Sequence, residues 1–223
     1  MARHRLRFSK TGRAVYMSHL DLMRTFQRAF PRAGVAIRHT EGFNPHAYIS
    51  VALPLSVAME SVCELLDFEI VDDTPPDTLP ALLTAKMPEG IEILEAYGAE
   101  RKVKEIAWIK ISGTFQYDAG GLSERVIAER LGAFFAQKSI PVTKLTKKKE
   151  QTEVDIAPLM REIVFAHDGP QRVRMEAVVA AQNPGLSPSL LLEALRQRSP
   201  ALWPPFAQFA RVEVYDGAMA VFR

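Results

Sequence analysis

The sequence holds one cysteine, Cys63, in 223 residues. One thiol cannot close an internal disulfide, carry an iron–sulfur cluster or supply the several thiolates of a structural zinc site. Long apolar runs are missing too. The most apolar stretch, Ile49 to Met59, is short and interrupted by Ser50, Pro54 and Ser56, too little to span a bilayer. The chain has no Walker loop, no dinucleotide-binding glycine fingerprint and no nucleophile elbow. His39 and His46 do not fall, with Cys63 or Asp21, into any metal-ligand spacing. The first residues, Met1 to Phe8, are charged with no apolar run behind them, which is not the pattern of a secretory signal. We therefore expect a reduced, cytoplasmic, soluble protein with no metal, no cofactor and no membrane partner.

What is present is the balance of an ordinary folded protein, 48% apolar and 24% charged. The net charge of +2 hides an uneven distribution. Residues 1–50 hold 9 Lys/Arg against 2 Asp/Glu, whereas residues 51–100 hold 1 against 11. Residues 101–150 return to basic, with 11 against 5. Such blocks either present a basic surface to a polyanion or interleave and cancel on folding.

The organisation reads as one pattern run twice. Arg3 to Phe8 alternates as a strand, with Arg3, Arg5 and Arg7 on a cationic face and His4, Leu6 and Phe8 opposite. Lys10 to Arg13 reads as a turn, and Ser18 as an N-cap with Asp21 three residues on. Leu20, Met23, Phe26 and Phe30 give a buried helical stripe, Pro31 predicts a kink or end near Phe30, and Gly34 a stop. Residues 35–39, 48–56 and 62–71 read as extended, 78–87 as helix and 91–97 as a closing strand. The second half repeats the order more faintly. Strands are expected at 108–115 and 172–180, helices at 122–137 and 189–198, and a last strand at 211–215. Residues 142–147, 153–156 and 163–166 read as extended pieces between them. This predicts an α+β protein of two tandem ferredoxin-like halves with antiparallel sheets, residues 1–99 and 106–223, joined by 100–105.

Residues that could carry chemistry concentrate in the first fifty. Ser18-His19-Leu20-Asp21 puts an imidazole and a carboxylate on the first turn of a helix, either as an anion grip or as a plain cap. His19 and Asp21 do not share a helical face, so they are no ready acid–base pair. Gly42-Phe43-Asn44-Pro45-His46 is a stiff turn, in which Phe43 either packs inward or offers a base a platform to stack on. Arg24, Arg28 and Arg32 form a stripe at i, i+4, i+8, and with Arg3, Arg5, Arg7, Lys10 and Arg13 they suit a phosphate-binding surface. Lys144, Lys147, Lys148 and Lys149 read as a solvated basic loop, Asp155 as a turn residue before Pro158, and Cys63 as a small buried hydrophobe.

Arg7-Phe8-Ser9-Lys10-Thr11-Gly12, Ser18-His19-Leu20-Asp21-Leu22, Glu41-Gly42-Phe43-Asn44-Pro45-His46 and Ala52-Leu53-Pro54-Leu55 resemble the radical SAM-linked protein family, a bacterial domain of unknown function. The resemblance covers nearly the whole chain and is most specific over residues 7–70. Members are encoded beside a radical SAM protein or fused behind one, often near ribonuclease and ribosomal genes. The resemblance thus implies an accessory role to radical chemistry on RNA. This chain departs from the family at Pro31 and in Pro45-His46-Ala47. With only Cys63 it cannot hold the cluster itself, so the link runs through a partner chain.

Three functions follow as expectations. One is a non-catalytic accessory or substrate-recognition partner of a separate radical SAM enzyme, binding RNA through Arg3, Arg5, Arg7, Lys10, Arg24, Arg28, Phe43 and Asn44. The second is a metal-independent RNA-cleaving or RNA-modifying enzyme. It would use His19 and His46 as acid and base and Lys10 for phosphate charge, and it requires those side chains to converge. The third is a protein-interaction module docking a basic partner on the acidic stretch 60–77.

Overall fold

The computed structural model describes residues 3–145 and 150–223. They form a mixed α+β protein of antiparallel sheets and four α-helices, in two compact units, Met1–Glu105 with Val221–Arg223 and Ile106–Ala220.

In the first unit β1 (Arg3–Lys10) leads through a 3₁₀ turn at Gly12–Tyr16 to α1 (His19–Arg32). There follow β2 (Ile49–Ala52), β3 (Met59–Glu69), α2 (Leu79–Thr84) and β4 (Ile91–Gly98). β1 lies antiparallel between β3 and β4, and β2 pairs antiparallel with β3. The core sets Leu6, Phe8, Leu66, Phe68, Ile91 and Ile93 against Leu22, Phe26, Ala29 and Phe30 of α1 and Leu79 and Leu83 of α2. Phe26 meets Phe8 edge-on at 5.0 Å, and Phe30 meets Phe68 at 5.0 Å.

Helix α1 begins where its cap predicts. Ser18 Oγ accepts from the Asp21 amide at 3.2 Å and donates to Asp21 Oδ2 at 2.7 Å. The buried stripe differs from expectation, because Leu22 and Ala29 face the core while Leu20 stands 64% exposed. At about 100° per residue Leu20 falls roughly opposite Leu22 and Ala29, on the solvent side of the helix. Pro31 does not end the helix. It sits in the last turn, Ala33 caps the end, and Gly34 takes the left-handed φ of +75° that turns the chain out.

The second unit runs β5 (Ile106–Gln116), α3 (Glu124–Phe135), β6 (Pro141–Leu145), β7 (Gln151–Asp155), β8 (Met160–His167), β9 (Arg172–Ala180), α4 (Pro188–Arg198) and β10 (Phe206–Asp216). β5 lies antiparallel between β10 and β9, and β8 pairs with β9. The pieces expected at 142–147 and 153–156 pair with each other as β6 and β7 instead of joining that sheet. Asp155 fixes the end of this hairpin, its Oδ1 accepting from the amides of Ile140 at 2.8 Å and Ala157 at 3.0 Å. Lys147, Lys148 and Lys149 lie outside the described residues.

The unit boundary differs from the expected 1–99 and 106–223 at the C-terminus, since residues 221–223 group with the first unit. Phe222 is the reason. It is fully buried, with the guanidinium of Arg5 at 4.9 Å and that of Arg101 at 4.7 Å from its ring centre.

Candidate nucleic-acid interface

The cationic face read from β1 is for the most part not a surface. Arg5 is fully buried, and its Nε and Nη2 donate to the Asp67 carboxylate at 2.6 and 3.0 Å. Nη2 also donates to the Arg101 carbonyl at 3.0 Å. Arg7 spends its guanidinium on Glu95 at 2.7 Å and on the Val62 carbonyl at 3.1 Å, which holds the Glu95 carboxyl below its ordinary value. Of the three only Arg3 is exposed. Alternation told which residues share a face, and pairing with β3 and β4 brought carboxylates to it.

Lys10 is also displaced from its expected role. It is 1% exposed, and its Nζ donates to the Val15 carbonyl at 3.0 Å. Burial pushes the ammonium below its ordinary value, against the pull of the buried Glu64 carboxylate. A lysine so shifted binds its proton less tightly folded than unfolded. Stability should therefore rise with pH over an alkaline window that ends near the ordinary value of 10.5. The slope is at most about 1.4 kcal/mol per pH unit. Tyr97 and Tyr117, raised by burial, act in the opposite sense above about pH 10. The comparison of wild type with Lys10→Met in urea melts cancels them. The variant should show the shallower rise, and parallel curves would mean that Lys10 is solvated in the folded state.

His19, Leu20, Asp21, Arg24 and Arg28 are exposed on α1, and Arg24 reaches Asp21 at 3.7 Å. Arg28 and Arg32, also exposed, have no ion-pair or hydrogen-bond partner among the described residues. After α1 the chain crosses to the start of β1. The Arg38 amide donates to the Glu69 carbonyl at 2.9 Å, Ile37 bridges Ile70, and Glu69 pairs with Arg3. Thr40 to His46 is a loop closed by the Thr40 amide on the His46 carbonyl at 2.8 Å and by Thr40 Oγ1 against His46 Nδ1 at 3.1 Å. Phe43 stands at its tip with a bare ring, and Asn44 beside it is exposed.

The expected convergence of Lys10, His19 and His46 does not occur. Lys10 pairs with Ser61 at the far end of β1, and α1 starts from that end. The loop bearing Phe43, Asn44 and His46 lies at the Arg3 end, roughly 20 Å away at the rise of a strand. The arrangement is therefore no acid–base site. What does come together is the last turn of α1 and the loop. A cavity of about 400 Å³ is lined by Gln27, Pro31, Val35, Ile37, His39 and Ala47. His39 Nδ1 donates to the Ile37 carbonyl at 3.0 Å, so its Nε2 is the nitrogen left to accept. No local pattern marks this hollow; it exists because the chain folds back between Gly34 and Ala47.

The acidic stretch 60–77 is largely consumed inside the first unit. Asp67 holds Arg5, Glu69 holds Arg38 at 3.1 Å, Glu64 is buried, and Asp72 accepts from the Ala36 amide at 2.6 Å. Cys63 is buried and free of any disulfide. Among the described residues no group of His, Cys, Asp or Glu is placed to hold a metal ion, and no helix is long and apolar enough to cross a membrane.

No curated protein matches the chain. A solved structure to which it is similar, "Crystal Structure of an Unknown Protein from Galdieria sulphuraria", is 12% identical over 95% of this chain and 98% of that chain. Its TM-score of 0.26 is too low for a shared fold to follow. A family model described as "Uncharacterized protein conserved in bacteria (DUF2344)" matches residues 3–188. The match spans most of both units, and the chain belongs to the DUF2344 family.

Proposed function

We propose that this chain is a non-catalytic recognition partner of a separate radical SAM enzyme and contacts RNA through the C-terminal end of α1 and the loop that follows. The observation that carries the reading is one juxtaposition. Arg28 and Arg32, cations without a hydrogen-bond or ion-pair partner among the described residues, sit on the turn of α1 whose Gln27 and Pro31 line one cavity with His39 and Ala47, the residues that flank the loop bearing the bare ring of Phe43. Cations that track a backbone beside an aromatic face that stacks a base are the parts from which single-strand binding is built. The enzyme reading has less support, since Lys10 is buried and His19 and His46 lie at opposite ends. The radical SAM link rests on the resemblance in residues 7–70 and on the lone cysteine, which makes any cluster the property of another chain. We also read both units as ferredoxin-like. With β6 and β7 set aside, each runs strand, helix, strand, strand, helix, strand.

Binding of a labelled single-stranded RNA, followed by fluorescence anisotropy across a salt series, tests this. Wild type should bind with strong salt dependence. Arg28→Ala with Arg32→Ala should lower the slope by about 0.7 for each phosphate that an arginine no longer neutralises. Phe43→Ala should weaken binding by about 1–3 kcal/mol with the slope unchanged. RNA affinity that ignores all three changes would remove the interface. Purification of the tagged chain from its native cell should bring down an iron–sulfur enzyme, and its repeated absence would remove the partner.

A further inference from the structure

On the first unit a second cavity, of about 410 Å³, opens beside the start of β1. Its lining combines Arg3 and Lys102 with the hydroxyl-bearing Tyr48 and Ser50, the apolar Ile49, Phe68 and Val103, and Asp67. Asp67 is the only carboxylate there, and Arg5 already holds both its oxygens at 2.6 and 3.0 Å. The side chains of Arg3 and Lys102 have no hydrogen-bond or ion-pair partner among the described residues, and both are exposed. Glu105 acts electrostatically on Lys102 and Glu69 lies across from Arg3, but neither carboxylate lines the hollow, whose own lining sets two exposed cations against one carboxylate already held by Arg5.

The rest of the wall says what else the ligand contains. The Tyr48 ring is held in place by the Arg38 guanidinium, 5.0 Å from its centre, and Arg38 is in turn fixed by Glu69 at 3.1 Å. Val103 adds an apolar contact, while the side chains of Ile49 and Phe68 pack into the core on the other face of the sheet. The Tyr48 ring held by Arg38, the Val103 side chain and two exposed cations suit an anion attached to a flat apolar body. The volume is within the range of small-ligand pockets, about 300–1,000 Å³.

We propose that this cavity binds a phosphate monoester of mononucleotide size. Arg3 and Lys102 hold the phosphate, Tyr48 and Ser50 donate hydroxyl hydrogen bonds, and the base lies along Tyr48 and Val103. The site does not depend on the RNA reading, which uses Arg28, Arg32 and Phe43. The same chemistry could arrive as a free nucleotide or as the 5′-phosphorylated end of an RNA strand.

Isothermal titration of the full chain with 5′-AMP, and separately with inorganic phosphate, reads the site directly. AMP should bind saturably at one site and more tightly than phosphate. Arg3→Ala with Lys102→Ala should weaken AMP at least tenfold, Tyr48→Ala at least threefold, and Arg28→Ala with Arg32→Ala should leave it unchanged. Unchanged melting temperatures for these exposed positions keep a folding defect apart from lost binding. If free AMP gives no heat, a 5′-phosphorylated oligoribonucleotide that binds tenfold tighter than its 5′-hydroxyl twin, through Arg3 and Lys102, assigns the site to an RNA end. No binding of either, or full binding by the Arg3/Lys102 double variant, overturns the proposal. Loss of RNA affinity at Arg28 and Arg32 alone would leave it standing.

Discussion

Arg5→Ala should destabilise the protein by about 3–5 kcal/mol, the range for removing one partner of a buried ion pair. Arg5 is fully buried on β1, with two bonds to Asp67 and one to the Arg101 carbonyl. Its deletion leaves the carboxylate of Asp67, itself 7% exposed, with no countercharge in a place where water cannot replace it. It also strips a guanidinium from the ring of Phe222, which ties residues 221–223 to the first unit. Asp67→Ala should cost a similar amount for the mirror-image reason. Arg5→Met with Asp67→Leu should recover most of the loss, because an apolar pair of similar volume needs no desolvation of charge. Urea denaturation of the four proteins reads these differences. A single variant as stable as wild type would mean that the pair is open to solvent. The result bears on function as well: a cation this deeply engaged is no contact for RNA, whatever the sequence around it suggests.

Gly90→Ala should cost about 2–5 kcal/mol, of which about 1–2 is the left-handed backbone and about 1–3 the forced overlap. Gly90 has φ +90° just before β4, and its carbonyl accepts from the Thr11 amide at 2.8 Å. A Cβ there would run into the Thr11 carbonyl oxygen and lie 3.0 Å from the Ala14 Cβ. Both neighbours belong to the turn between β1 and α1, and neither is a flexible side-chain end that could move aside. Gly34→Ala is the matched control. Its φ is +75°, but a Cβ would meet nothing within 4 Å, so only the backbone cost of about 1–2 kcal/mol applies. Equal losses at the two positions would show that the turn at Thr11 yields to the intruding methyl. If the loss at Gly90 is the larger, the register between β4 and the turn that launches α1 is set by this contact.

Local chemistry was readable wherever a residue acts on its neighbours in the chain. Ser18 caps α1 and binds Asp21, Gly34 takes the positive φ, and Asp155 turns the chain onto the Ala157 amide, while its bond to the Ile140 amide, 15 residues back, comes only with the hairpin. Period alone could not say which of two faces water keeps. Arg3, Arg5 and Arg7 alternate as expected, yet Asp67 and Glu95 meet two of them only because β3 and β4 pair beside β1. Leu20 is apolar but lies roughly on the opposite side of α1 from the buried Leu22 and Ala29, so it meets solvent. For the site, Phe43, Arg28 and Arg32 were singled out from composition and spacing. Their meeting at one end depends on where residues 35–39 run, which their own sequence does not state.

The sequence by itself determined the class of this protein: α+β, with one thiol. It could do so because strand and helix periods, caps and turn residues act over a few positions. Only the tertiary structure decided which charges remain for a partner. Arg5, Lys10 and Asp67 are consumed inside the first unit, while Arg3, Arg28, Arg32 and Lys102 are left without one among the described residues. An ionic group is spent or free according to what the fold brings within about 4 Å of it, and for Arg5 that group lies 62 residues away in the chain.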